Sequence, residues 1–329
     1  MGEVSSGCGG GDGREIASAV PTVNEAGRAP MQVVTTRAEL ATARARLRQV
    51  GLVPTMGYLH EGHLSLVRAA RAQNEAVVVS IFVNPTQFGA GEDFETYPRD
   101  TERDLQLLAD AGVDLVWMPQ VHDVYPPGAS TSVLVSGLTD VLEGAHRPGH
   151  FTGVATVVAI LLNATRADRA YFGQKDAQQV LVVRRMVDDL AIPTTIVTVP
   201  THREGDGLAM SSRNVYLDEQ QRPHATVLVQ ALTAASRAWS GGERDADRLR
   251  AAMTHVLAAE PLAQPDYVSV ADPQTLAELS TIDPARGALC SLAVRFGRTR
   301  LIDNVVLSAA DQSAVDSPAE QPDGKARHT

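Results

Sequence analysis

Val53-Pro54-Thr55-Met56-Gly57-Tyr58-Leu59-His60-Glu61-Gly62-His63-Leu64 decides how this chain is read. Gly51-Leu52-Val53 closes an apolar strand pattern, and Leu64, Leu66, Val67 and Ala70 then recur at helical spacing. A strand that feeds a helix through a glycine-bearing turn is how an open α/β sheet presents a helix N-terminus to a phosphate. His60 and His63 lie three residues apart on the first turn and so face the same way. An imidazole donates to phosphate oxygens in either ionisation state and carries protons near neutral pH. The positive end of the helix dipole disfavours the imidazolium, which predicts lowered pKa values for both histidines.

Three uses of this pair compete. In a solvated helix start without function, Gly57 and Gly62 would cost turn and helix stability with nothing gained. A zinc-protease site needs H-E-x-x-H, and the order here is H-E-G-H; no metal-ligand set is read elsewhere. A nucleotide-phosphate site accommodates every feature. H-x-G-H after a first strand resembles the signature of the nucleotidylyltransferase superfamily, which class I aminoacyl-tRNA synthetases share. By itself it points to chemistry at the ATP α-phosphate and leaves the substrate open.

Outward from the turn, the 329 residues leave room for two domains of ordinary size, and 44% hydrophobic residues are enough for their cores. Lys and Arg number 29 against 39 Asp and Glu, a formal charge of −10. That balance argues against a nucleic-acid partner, which calls for clustered cations, yet allows a local cationic pocket. Of the two cysteines, Cys8 falls in a glycine-rich segment, so no structural disulfide is expected and a reducing cytoplasm is. No apolar run approaches membrane-spanning length, and no basic-then-apolar signal pattern opens the chain, so no membrane partner is expected.

Residues 1–30 and 311–329 lack periodicity and are expected to be a disordered leader and tail. Between them, strands are predicted near 32–34, 52–53, 76–83, 113–117, 169–172 and 194–199. Helices are predicted over 37–47, up to 73, 100–111, 154–163 and 177–190. The run Ala76-Val77-Val78-Val79-Ser80-Ile81-Phe82-Val83 does not alternate, as suits a parallel strand covered on both faces. This alternation predicts an α/β fold, a Rossmann-like parallel sheet with helices on both faces, over 31–200. After Pro200 come two predicted helices, 218–239 and 244–259. Three strands follow, near 266–270, 288–296 and 299–306, the last two flanking a Gly297-Arg298 hairpin turn. This is a smaller C-terminal α+β domain, 201–310.

Four further stretches carry chemistry. Asn84 and Gln87, in Phe82-Val83-Asn84-Pro85-Thr86-Gln87-Phe88 at a strand's carboxyl end, offer amides to hydroxyls or a carboxylate, or serve only a local turn. The glycine-rich 143–153 stretch, with Arg147, His146 and His150, is predicted to be a loop before a helix, either a cationic lid or plain surface. In Phe172-Gly173-Gln174-Lys175-Asp176-Ala177-Gln178-Gln179, Gly173 lets a ligand approach the backbone and Lys175 suits a phosphate. Asp176 is an N-cap or a ribose acceptor, and Gln179 lies a turn further on. Leu208-Ala209-Met210-Ser211-Ser212-Arg213-Asn214 offers two hydroxyls and a guanidinium to phosphate oxygens.

In order, the runs PTMGYLHEGH, FVNPTQF, EGAHRPGHFTGV, YFGQKDAQQ and DGLAMSSRN resemble the motifs of the pantothenate synthetase (pantoate–β-alanine ligase) family, across about 31–306. Gln174 stands where that family usually has Glu, and Tyr58 where it often has Ala. The resemblance implies a two-step, Mg²⁺-dependent ligation of pantoate and β-alanine by ATP through a pantoyl adenylate. It implies that His60, His63 and Lys175 are catalytic. ATP would meet Pro54, Thr55, Met56, Gly57, Tyr58, Leu59, Glu61 and Gly62 beside the histidines. It would also meet Gly173, Gln174 and Asp176, the backbone of His202, and Met210, Ser211, Ser212 and Arg213. Asn84, Gln87, Gln179 and Arg147 would hold substrate. His60 is the proton donor by resemblance, while the physics also allows it to act mainly through a hydrogen bond. A homodimer and a C-terminal lid are implied as well. Two alternatives remain: a nucleotidylyltransferase that stops at a nucleotidyl product, and a non-catalytic adenylate sensor.

Overall fold

The computed structural model describes residues 30–89 and 91–308. The leader, the tail and Cys8 lie outside them. The elements run β1 (Gln32–Val34), α1 (Arg37–Arg44), β2 (Val50–Thr55), α2 (Glu61–Gln73), β3 (Ala76–Ile81), α3 (Thr101–Asp110) and β4 (Leu115–Trp117). Next come α4 (Val121–Val124), α5 (Glu143–His146), α6 (His150–Thr165), β5 (Arg169–Gly173), α7 (Ala177–Asp189) and β6 (Thr195–Val199).

The six strands form one parallel sheet in the order β1-β4-β3-β2-β5-β6. Its central strands read apolar because both faces are covered. Leu52 and Val78 join a core that also contains residues of α1, α6 and α7. Val53 and Val79 point the other way, into a core with residues of α2 and α3. The chain leaves β2 towards β3 and β4, then returns to place β5 on the other side of β2. A ligand crevice opens at the carboxyl ends of strands where such a reversal occurs. The histidine turn leaves the end of β2 at that point.

The 143–153 stretch is not the loop predicted. It contains α5 and the first turn of α6, which begins at His150 rather than near 154. Gly153 is a packing glycine: a Cβ there would stand 2.3 Å from the Thr86 carbonyl oxygen, so the helix presses on the backbone of the Asn84–Gln87 turn.

Beyond Pro200 lie α8 (Gln221–His224), α9 (Val227–Ser240), α10 (Ala246–Ala258), β7 (Gln264–Ala271), β8 (Ala288–Phe296) and β9 (Thr299–Leu307). The predicted single helix over 218–239 is two, parted at Ala225–Thr226, where the Thr226 and Leu228 amides donate to carbonyls three residues back, Pro223 and Ala225, instead of four. The three strands form a separate antiparallel sheet, β7-β8-β9, with its own core around Trp239, Met253 and Phe296. Cys290 is a free, buried thiol within it. No helix of the described residues is long and apolar enough to cross a membrane.

Candidate active site

After β2 the backbone turns through positive φ at Gly57 (86°) and Tyr58 (50°). Asp104 of α3, 1% exposed, holds this strained turn. Its carboxylate oxygens accept from the Tyr58 and Leu59 amides, each at 2.7 Å. Burial outweighs those donors and raises the Asp104 pKa. Gly57 fits because a Cβ would meet Ile81 and that carboxylate at 3.0 and 3.1 Å.

His60 then caps α2. Its Nδ1 accepts from the Gly62 amide at 3.1 Å, and Nδ1 of His63 accepts from the His60 amide at 3.3 Å. A backbone N–H can only donate, so each neutral ring carries its proton on Nε2. The ring centroids are 4.1 Å apart. The His60 pKa is pushed down to about 4, by burial first and then by the charge of Lys175. That of His63 is lowered well below its usual value by burial, His60 and Lys175. The direction matches the expectation from the helix end; the leading cause is burial.

At the end of β3, the Asn84 carboxamide is fully engaged and 1% exposed. Its Oδ1 accepts from the Tyr125 hydroxyl at 2.8 Å and the Thr86 hydroxyl at 2.9 Å. Its Nδ2 donates to Gln87 Oε1 at 3.1 Å and the Gly153 carbonyl at 3.2 Å. Asn84 therefore stands behind Gln87, whose Nε2 reaches the Met56 sulfur at 3.1 Å. The Gln87 carbonyl accepts from His150 Nδ1 at 2.8 Å. His150 is left with Nε2 as an acceptor 3.1 Å from Arg147.

The cationic side is arranged by distant carboxylates. Arg147 makes a two-pronged pair with Glu92 (2.7 and 2.6 Å), and Arg213 makes one with Asp93 (3.0 and 2.8 Å). Lys175 Nζ lies 3.4 Å from Asp176. Ser211 Oγ accepts from the Arg213 amide at 3.2 Å. The His202 carbonyl accepts from the Met210 amide at 3.0 Å.

These groups line a cavity of about 240 Å³ with Pro54, Thr55, Met56, His60, Gly62, His63, Asn84, Gln87, Gly173, Lys175 and Ser212 on its walls. It adjoins a second cavity of about 880 Å³, and Arg147, Lys175, Asp176, Gln179, Ser211 and Arg213 border both. His202 and Met210 line the smaller one. Other residues expected at the nucleotide are not on these walls. Leu59 is buried in the core, Glu61 pairs with Arg68, and Gln174 turns to Asn304 at 3.1 Å. Gly57 and Tyr58 shape the turn from behind. Sequence reasoning missed Asp104, Tyr125, Glu92 and Asp93. Each acts across 41 to 120 positions, where no local pattern points.

The family and the fold are identified by comparison with known proteins. A family model described as pantoate-beta-alanine ligase matches residues 31–306. A pantothenate synthetase of Herpetosiphon aurantiacus is 60% identical over 277 residues, covering 84% of this chain and all of that protein. One of Chloroflexus aurantiacus is 61% identical, covering 84% of this chain and 98% of its own length. The crystal structure of pantothenate synthetase from Thermus thermophilus superposes with a TM-score of 0.81 at 52% identity, covering 84% of this chain and 100% of that one. A Francisella tularensis pantoate-beta-alanine ligase, complexed with beta-gamma ATP and beta-alanine, has a TM-score of 0.70 at 34% identity, covering 84% and 97%.

Proposed function

We propose that this chain, which belongs to the pantoate-beta-alanine ligase family and has its activity, works in two steps on one bound ATP. A carboxylate oxygen of pantoate attacks the α-phosphorus, and the bond to the β-phosphate oxygen breaks. Pyrophosphate leaves with the electron pair and pantoyl adenylate remains. The β-alanine amine then attacks the acyl carbon. It loses a proton, and the acyl–oxygen bond breaks to release AMP and pantothenate.

One observation carries the assignment of roles: two neutral imidazoles, both protonated on Nε2, and a lysine lining the same cavity. Donors fixed in advance where charge develops contribute most to such a reaction. His60 and His63 donate from Nε2 to phosphate oxygens, and Lys175 supplies positive charge. With a pKa near 4, His60 acts as a hydrogen-bond donor rather than as an acid at neutral pH. Ser211, Ser212 and Arg213 approach the phosphates from the 201–214 segment. Gln87, steadied by Asn84, receives pantoate with Gln179 and Arg147. Gly173 and Asp176 meet the ribose, and the backbone of His202 meets adenine.

Mg²⁺ would arrive with the nucleotide and would offset the charge of its phosphates. The described residues contain no group of three or more His, Cys, Asp or Glu arranged for a metal, and each role above belongs to a side chain or backbone group of the protein. A homodimer, a cytoplasmic location and a C-terminal domain, 201–310, that closes as a lid over the reactive anhydride complete the reading.

The test is product release. AMP should appear only with ATP, pantoate and β-alanine together, and pyrophosphate with ATP and pantoate alone. A nucleotidyl product that persists when β-alanine is added would favour a nucleotidylyltransferase and sink the ligase reading.

A further inference from the structure

A dipeptide in the small sheet, far from the motifs, grips both loops of the cationic wall. β9 is an outer strand of that sheet, hydrogen-bonded along its length to β8 alone. At its middle stand two buried polar residues, Asp303 (2% exposed) and Asn304 (5%). The Asn304 carboxamide is spent on one loop. Its Nδ2 donates to the Gln174 carbonyl at 3.0 Å and the Lys175 carbonyl at 2.8 Å, and its Oδ1 accepts from Gln174 Nε2 at 3.1 Å. Both carbonyls flank the residue whose ammonium reaches the cavity.

Asp303 holds the other loop. It accepts two bonds from the Arg203 guanidinium, at 2.6 and 3.0 Å. Arg203 also donates to the Gly207 carbonyl at 3.0 Å, drawing the 203–207 turn together. That turn leads, through the bond between the Met210 amide and the His202 carbonyl, into Ser211 and Ser212. Asp303 Oδ1 further accepts from the Asn304 amide at 2.8 Å, which links the two grips.

The small sheet gains little from these residues itself. Asn and Asp are poor strand formers, and a buried amide or carboxylate costs free energy unless fully paired. Neither side chain enters the sheet's hydrophobic core; both border the larger cavity. The partners of both side chains lie instead in the loops that carry Lys175 and Ser211.

We propose that Asp303 and Asn304 are positioning residues for adenylation, with Asn304 fixing the backbone that presents Lys175 and Asp303 fixing the loop that presents Ser211 and Ser212. The proposal rests on the ligase reading above and adds a route by which the C-terminal domain acts on adenylation through the two loops it holds.

The experiment is a double-mutant cycle on single-turnover pyrophosphate release from ATP and pantoate. Misplacing a catalytic group by about 1 Å costs on the order of 100-fold, so Asn304→Ala should slow adenylation by roughly 10- to 100-fold. Attack of β-alanine on supplied pantoyl adenylate should change by less than about 3-fold, because Lys175 is assigned to the first step. In a Lys175→Ala background the same Asn304→Ala change should cost no more than about 2-fold, since contacting residues that act as a unit are not additive. An equal multiplicative loss in both backgrounds would mean a general structural role and overturn the proposal. Asn304→Asp keeps the shape and replaces both donated hydrogen bonds with a carboxylate facing two carbonyls. It should lose as much as alanine, and parental adenylation in this variant would also overturn the proposal. If Asn304 variants do not fold, Asp303→Asn is read in the same assay, where an unchanged rate overturns the Asp303 half. A parental enzyme that releases no pyrophosphate would sink the ligase reading itself, before any variant is compared.

Discussion

The two walls of the cavity are held by different forces. On the histidine wall the rings and the turn are fixed chiefly by backbone amides and a buried carboxylate: Gly62 to His60, His60 to His63, and Tyr58 and Leu59 to Asp104. That wall presents neutral donors. On the cationic wall, Arg147 and Arg213 are held by two-pronged, mostly buried ion pairs to Glu92 and Asp93. Pairs buried to this degree are screened by salt much less than exposed ones. One wall offers neutral donors fixed by the backbone, and the other offers cations already neutralised by bidentate carboxylates.

Removing a donor from the histidine wall should cost most. His60→Ala and His63→Ala should each slow adenylation by roughly 100- to 1000-fold in single-turnover assays, the usual effect of losing one preorganised donor. Because the protons sit on Nε2, His→Gln, whose amide nitrogen reaches furthest, should recover more activity than His→Asn. A Gln variant no better than Ala would shift the role to proton transfer. If both Ala variants kept full adenylation and lost bound zinc, the phosphate reading would be abandoned.

Lys175→Ala should approach the same loss, roughly 100- to 1000-fold, in adenylation alone. The attack of β-alanine on supplied adenylate should be much less affected. Equal losses in both steps, with a lower melting temperature, would assign Lys175 to the fold.

A smaller effect belongs to the pantoate pocket. Gln87→Ala leaves a substrate group unpaired, worth about 1–3 kcal/mol. It should raise the pantoate KM and lower turnover while ATP binding holds. Weakened ATP binding with normal pantoate saturation would reassign this stretch.

The mildest test is pH. His60 and His150 both have folded-state pKa values pushed down to about 4, from an unfolded value of 6.5. Between those values the unfolded chain binds more protons than the folded one, so their contribution to stability falls as pH drops from about 6.5 to 4 and is level above. Thermal melts across that window should show the decline. A melting temperature that rises towards pH 4 would show that other groups dominate.

Legibility in the sequence obeys the same division. The β2-turn-α2 unit is written in adjacent residues, so glycines, histidines and apolar spacing announce it. The sheet announces itself through doubly covered runs such as Ala76–Ile81. The supports do not: Asp104 reaches the turn across 45 positions and Asp303 reaches Arg203 across 100. Local pattern also misjudged Gly153, which resembles a loop glycine and is a contact between helix and backbone. The pKa direction was legible from the helix end, but its leading cause, burial, exists only once the cavity has walls.

The strand order carries one more consequence, for the chain as it is being made. The Val50 amide is bonded to Asp168 at 2.7 Å across 118 positions, beside the register of β2 with β5. Closing a loop of that length costs entropy before any contact repays it. During synthesis the histidine turn emerges early, whereas its opposite wall does not exist until β5 has left the ribosome. A chain halted before Arg169 therefore carries the signature and has no crevice for a nucleotide.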